Sequence, residues 1–192
     1  MDELVDILDS DGAYTGEQIM KSEAHKKGLY HPTVHIWLYT NDGRILIQKR
    51  GSGKKTYPLL WDVSVAGHVG AGENILSAAI RETHEEIGLQ IEAETLEKIG
   101  IYRSEQVHHE DFKDFEFHHS FICELQKPLK DLRKQKSEVE ELKLIPLIRF
   151  AEETWGMGNS SAFVPHHGPY YKEVAIAIRS ALKRSDKSIG LA

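Results

Sequence analysis

Three glutamates, Glu82, Glu85 and Glu86, fall at i, i+3 and i+4 in a segment reading GHVGAGENILSAAIRETHEEIGL from Gly67 to Leu89. A helix presents those positions on one face. The helix is legible from its own residues. Asn74 is a good N-cap, Gly88 stands where a left-handed residue closes a C-terminus, and Leu76, Ala79, Ile80, Thr83 and Ile87 recur at helical spacing. At about 100° per residue, that mainly apolar stripe lies roughly opposite the acids. One face therefore packs on a core and the other carries three like charges, which repel unless a cation sits between them. A hard divalent ion with oxygen ligands, Mg²⁺ or Mn²⁺, is the natural counterion; a merely solvated acidic face is the plain alternative. The glycines between Gly67 and Gly72 let backbone approach a ligand closely.

The 192 residues allow one domain, taken as 1–192, with a proper core. A formal charge of −6 argues against wrapping a nucleic-acid polymer, which needs a basic stripe. A small anionic substrate stays open, because a bound metal supplies local positive charge. Cys123 is the only cysteine, so no intrachain disulfide forms, and a reducing, cytoplasmic setting fits. No run of 18 apolar residues is present and the N-terminus is acidic, so neither a membrane span nor a secretion signal is expected.

Residue patterns predict strands at Leu4–Leu8, Thr33–Thr40 and Ile45–Lys49, the last two forming a hairpin around Asn41-Asp42-Gly43. Further strands are expected at Trp61–Ala66, near Glu94–Tyr102, at Phe115–Leu125 and at Leu142–Pro146. Glu17–Lys26 reads as a short helix or irregular segment, Gly51–Lys55 as a basic loop, and Lys127–Glu141 as a charged stretch containing a loop. A helix begins in Ile148–Thr154, another covers Tyr170–Arg184, and the last eight residues read as a frayed end. The order implies a mixed sheet with helices on both sides.

The segment 67–89 resembles the Nudix signature, G-x5-E-x7-R-E-U-x-E-E-x-G-U with U a bulky aliphatic. Gly67, Glu73, Arg81, Glu82, Glu85, Glu86, Gly88 and Leu89 all match, and Thr83 at the first U is the one departure, predicting slightly looser packing there. The resemblance implies an α/β/α sandwich and a metal-dependent hydrolase of diphosphate linkages. It makes Glu85 and Glu86 direct ligands with the Gly67 carbonyl, and Glu82 the acceptor of the water proton or the holder of a further metal-bound water. Glu116 or Glu138 would supply another ligand or the base. Arg81 would orient the carboxylates through Glu73, in a role as much structural as catalytic. Nudix proteins often dimerise, so a homodimer is within the expectation.

Flanking residues are similar to the type I isopentenyl-diphosphate isomerase branch: Ala24-His25, Leu29-Tyr30-His31, Trp37-Leu38, Gln48-Lys49-Arg50, Lys54-Lys55, Pro58, Trp61, Gly67-His68, Asp114 and Glu116. That likeness implies a metal held by His25, His31, His68, Asp114 and Glu116, and diphosphate contacts from Lys21, Arg50 and Lys54. The histidines would otherwise contact substrate or buried backbone, and the basic loop with Lys55 would simply be solvated. Trp37, Trp61, Tyr57 and Trp155 divide between the core and stacking on a substrate base. The pairs His108-His109, His118-His119 and His166-His167 have no ligand spacing and default to surface or strand positions.

Two features point away from isomerase chemistry. The isomerase proton-donating cysteine precedes its Gly-His pair, and here Ala66 stands there. The glutamate cluster, which isomerases tend to lose in part, is complete. The chain is therefore read as an isomerase-like Nudix pyrophosphohydrolase acting on a small X-diphosphate of nucleoside-diphosphate type. An isomerase with an unusual acid and a non-catalytic ligand-binding module are the alternatives.

Overall fold

The computed structural model describes residues 2–155, 160–166 and 168–189. A small antiparallel sheet pairs β1 (Leu4–Leu8) with β2 (Tyr14–Met20), and α1 (Lys21–Lys27) follows directly. The Glu17–Lys26 segment, expected as a short helix or irregular stretch, is thus strand to Met20 and helix from Lys21. Its residues β2 contributes are almost all exposed, so no apolar alternation marks them. The helix ends at Gly28, left-handed at φ 66°.

The main sheet is built from β3 (His31–Tyr39), β4 (Arg44–Arg50), β5 (Trp61–Asp62), β6 (Val65–His68), β7 (Glu97–His109), β8 (Phe112–Glu124) and β9 (Val139–Pro146). Its central path runs β5-β4-β3-β8-β7, with β6 on β3 and β9 on β4. Among the named strands of the described residues the β3–β8 pairing is parallel and the others antiparallel, so the sheet is mixed. The predicted β3–β4 hairpin forms only at its turn, where Tyr39 faces Ile45; beyond that the strands splay and β6 pairs with β3 in the gap. Ser64 holds the splay: its buried hydroxyl donates to the Leu46 carbonyl at 2.5 Å and accepts from the Leu38 amide at 2.9 Å. The expected strand Trp61–Ala66 is broken at this residue into β5 and β6.

α2 (Ile75–Ile87) covers one face of the sheet, while α3 (Leu147–Thr154) and α4 (Tyr170–Ile189) cover the other. Alternate residues of β3 serve the two cores. Val34, Ile36 and Leu38 pack with Ala78, Ala79 and Ile87 of α2, whereas Trp37 and Tyr39 pack with Phe150, Tyr170, Val174 and Ile178. This is the α/β/α sandwich with a mixed sheet that the resemblance implies. α4 runs five residues past Arg184, so the chain does not fray from residue 185 as expected; residues 190–192 lie outside the described residues. Among the described residues no helix is long and apolar enough to cross a membrane.

The β7–β8 hairpin is longer than its apolar residues predict. Residues 103–114 are mostly polar and lack an alternating pattern, yet they continue the antiparallel ladder to His109 and Phe112. That extension carries Asp114 to the wall of a cavity that Glu116, next along β8 on the same face, also lines.

Candidate active site

A cavity of about 1110 Å³ opens where β3 and β4 splay. Its lining includes Gly67, Glu82, Glu85 and Glu86 together with His25, His68 and Glu116.

α2 begins and ends as its sequence requires. Asn74 accepts from the Leu76 amide at 2.9 Å, and Gly88 is left-handed at φ 67°. Its buried face differs from the simple stripe. Leu76 is exposed, Ile75 and Ala78 pack in its place, and Glu86 is buried along with Thr83 and Ile87. The Thr83 hydroxyl donates to the Ala79 carbonyl at 2.7 Å, so the departure from an aliphatic residue leaves no orphaned polar group. Sequence periodicity placed all three glutamates on the face opposite the core; Glu85 is there, its side chain about half exposed, while Glu82 is half-buried and Glu86 buried.

Glu86 points from α2 into the gap between β4 and β6. Gln48 Nε2 donates to its Oε2 at 3.2 Å, and the Ala66 amide also contacts it. Burial pushes its carboxyl up to about 8, against the pull of Lys54. Glu82 lies directly over Gly67, so a Cβ there would overlap its carboxyl carbon. Burial raises Glu82 as well, with Arg81 opposing. Arg81 is the organiser: Nε and Nη2 grip Glu73 at 2.9 and 2.8 Å, Nη1 donates to Glu82 Oε1 at 2.7 Å, and Nη2 also donates to the His68 carbonyl at 3.0 Å. Glu73 in turn accepts from the Gly70 amide at 2.9 Å. The Arg81–Glu73 pair that the resemblance implies is therefore a bidentate clamp fixing both the glycine loop and Glu82. The carboxylates of buried Glu86 and half-buried Glu82, beside a Cβ-free backbone at Gly67, are a donor set suited to a hard divalent metal.

The basic residues expected to contact diphosphate all line the cavity, but each is already paired. Arg50 donates to Asp62 Oδ2 at 2.9 Å, to the Thr56 carbonyl at 3.0 Å and to Thr56 Oγ1 at 3.1 Å. Lys54 pairs with Glu138, and Lys21 with Glu3 at 2.5 Å. Arg50 is thereby a fixed element of the wall rather than a free clamp, while Lys54 keeps charge near Glu86. Lys55 sits over the Phe112 ring at 5.5 Å.

His25, His31, His68 and Glu116 come together with ligand atoms mutually within 4.8 Å. His25 and His31 meet at 3.2 Å through their Nε2 atoms, and Glu116 Oε1 lies 3.6 Å from His31 and 3.4 Å from His68. The His68 Nε2 has no hydrogen-bond partner although buried. Burial opposes charge on Glu116, but the imidazoles of His31 and His68 beside it outweigh burial and hold the carboxyl well below its ordinary value. Asp114, the fifth expected member, stands apart: it pairs with His108 Nε2 at 2.9 Å and reaches His25 only at 3.8 Å.

Ala66 and Cys123 bear on the isomerase alternative. Cys123 is buried in the core on the α2 face, its Sγ 3.5 Å from Thr95 Oγ1, and does not line the cavity. Trp37 is wholly buried, its indole donating to Tyr170 at 2.9 Å, whereas Trp155 is exposed.

Sequence reading gave no role to Ser64 or His35, named Gln48 only as a flanking match, and left His118 and His166 as surface or strand positions, whereas His35 and His118 are buried in the cavity wall. A signal for these two exists. On β3 and β8, residues 31, 33, 35 and 116, 118, 120 share one face, and all are polar where the core parity calls for apolar residues.

Comparison with known proteins agrees with this arrangement. The family model described as NUDIX domain matches residues 29–166. Nudix hydrolase 3 of Arabidopsis thaliana is 32% identical over 177 residues, covering 89% of this chain but 23% of the plant protein. An uncharacterized Nudix hydrolase of Clostridium acetobutylicum is 31% identical over 92% of this chain and 97% of its own length. An isopentenyl-diphosphate Delta-isomerase of Serratia proteamaculans is 32% identical over 64% of this chain and 66% of that protein. Among solved structures, one from Deinococcus radiodurans overlays with a TM-score of 0.64 at 18% identity, covering 88% of this chain and 96% of that one. A MutT NUDIX hydrolase from Burkholderia pseudomallei gives 0.53 at 16% identity over 77% and 96%.

Proposed function

The chain belongs to the Nudix family and is a hydrolase of phosphoric anhydrides, and from that premise we propose the finer reaction: metal-dependent attack of water on phosphorus in a small X-diphosphate of nucleoside-diphosphate type. Bound Mg²⁺ or Mn²⁺ supplies charge neutralisation at the P–O–P bridge and acidifies a coordinated water. Glu85, Glu86 and the Gly67 carbonyl hold that ion. Glu82 takes the water proton; its buried, upward-shifted carboxyl is a stronger base than an exposed glutamate. Arg81 positions Glu82 through the Glu73 clamp, and Lys54 orients the diphosphate beside Glu86. Arg50 and Lys21 contribute at the cavity wall once substrate competes for their acidic partners. His25, His31, His68 and Glu116 hold a further divalent ion, a role their donor types and the unpartnered His68 Nε2 support. A homodimer and a cytoplasmic setting complete the reading.

The observation that carries it is the burial of Glu86 beside Gln48 and Lys54, an acid driven far from its ordinary behaviour inside a cavity. Isomerisation lacks its acid, since Ala66 has no proton to give. The test is a Mg²⁺ assay over dinucleotides, nucleotide sugars, nucleoside triphosphates and isoprenyl diphosphates in ¹⁸O water. Phosphate-ester products carrying the label, lost by about 100-fold or more in a folded Glu86→Gln variant, are expected. Allylic isomer without phosphate release, or undiminished turnover in that variant, overturns it.

A further inference from the structure

A second group of imidazoles lies deeper in the cavity, and the proposed hydrolysis does not use it. His35 on β3, His118 on β8 and His166, in the segment before α4, each offer a ring nitrogen within 4.8 Å of the other two. Three separate parts of the chain converge here, and none of the three positions is adjacent in sequence to another. The segment carrying His166 is fastened to the sheet: the Val164 amide donates to the Trp61 carbonyl at 2.9 Å, and the Tyr171 hydroxyl donates to the Val164 carbonyl at 2.7 Å.

The outer nitrogen of each ring is tethered. His35 Nδ1 meets the Tyr170 hydroxyl at 2.8 Å, His118 Nδ1 meets Thr33 Oγ1 at 2.7 Å, and His166 Nε2 meets Asp62 Oδ1 at 3.0 Å. Asp62 is itself fixed by Arg50 and by the Val63 amide at 2.8 Å. Left over are Nε2 of His35, Nε2 of His118 and Nδ1 of His166. The last is buried with no hydrogen-bond partner, although its side chain is only 7% exposed. A buried imidazole nitrogen without a partner is costly unless something binds it. Imidazoles whose far nitrogens are held by a hydroxyl or a carboxylate are the usual support of a metal-binding histidine.

We propose that His35, His118 and His166 bind one divalent transition metal of borderline softness, with zinc as the reference ion, leaving a coordination position open to the cavity. Nitrogen-only donors select this class over magnesium, which the carboxylate site prefers. The site is distinct from the cluster of His25, His31, His68 and Glu116, although Glu116 Oε2 comes to 3.5 Å from His118 Nδ1 on the tethered side. His35 and His118 stack at 4.0 Å with 17° between their planes. For both Nε2 atoms to reach one ion, one of these two rings would tilt out of the stack and lengthen its Nδ1 tether.

The test separates the sites. A His68→Ala, Glu86→Gln double variant disables the other two, and Co²⁺ or Zn²⁺ is titrated into it against a chromophoric chelator. One equivalent with a nitrogen-rich cobalt spectrum is expected. Adding His166→Ala, and separately His118→Ala, should weaken that equivalent by about 100-fold or more. An unchanged equivalent in either folded triple variant, or none in the double variant, overturns the site. Wild-type crystals soaked in zinc give a reading independent of any variant's folding. An anomalous peak among the three rings supports the site, and zinc bound only elsewhere refutes it.

Discussion

Glu82 occupies the space that a side chain on Gly67 would fill. The glycine of the motif is thus steric in purpose: it lets a carboxylate from α2 lie flat against β6, while Arg81 holds that carboxylate from the other side at 2.7 Å. Gly67→Ala should push Glu82 out of place. A displacement on the order of 1 Å at a reacting group costs about 100-fold in turnover, and overpacking costs about 1–3 kcal/mol of stability. Steady-state kinetics with urea unfolding checks both. Unchanged kcat in a folded variant would detach Glu82 from the chemistry.

Glu86 makes the metal-free protein pH-sensitive. Its carboxyl is pushed up to about 8 by burial, whereas the unfolded chain releases the same proton near the ordinary value of 4.5. Between those values the native state binds more protons than the unfolded state, so stability falls as pH rises through the window. Glu86→Gln has no such proton. Unfolding midpoints in EDTA should therefore show the variant gaining on wild type between about pH 5 and 8 and levelling above. A constant difference would mean that Glu86 is not buried as described.

Ser64 carries the splay on which the cavity depends. Ser64→Ala leaves the Leu38 amide and the Leu46 carbonyl without their buried partner, at a cost of about 1–3 kcal/mol. Urea denaturation measures it. A loss below about 0.5 kcal/mol would show that β3 and β4 hold apart without the hydroxyl.

What the sequence disclosed follows from where local patterns decide structure. Asn74, Gly88 and the alternation in β3 report local energetics, and those elements appear as read. The Arg81–Glu73 clamp was foreseen through the family resemblance. The β3–β4 splay was not legible, because it is set by Ser64, a residue far along the chain that satisfies two strands at once. The burial of Glu86 was hidden for a related reason. A helical wheel separates apolar from charged residues, and Glu86 is inward-facing because the gap between β4 and β6 receives it. Lys21, Arg50 and Lys54 were found as cavity residues, but their pairing with Glu3, Asp62 and Glu138 is tertiary and leaves no local trace.

The most direct test of the central claim is the anomalous difference density of crystals soaked with Mn²⁺. The account predicts manganese between the Gly67 carbonyl, Glu85 and Glu86, with Glu82 facing it across the glycine. Manganese absent from that position, with Glu86 still hydrogen-bonded to Gln48 and undisturbed by the soak, would contradict it.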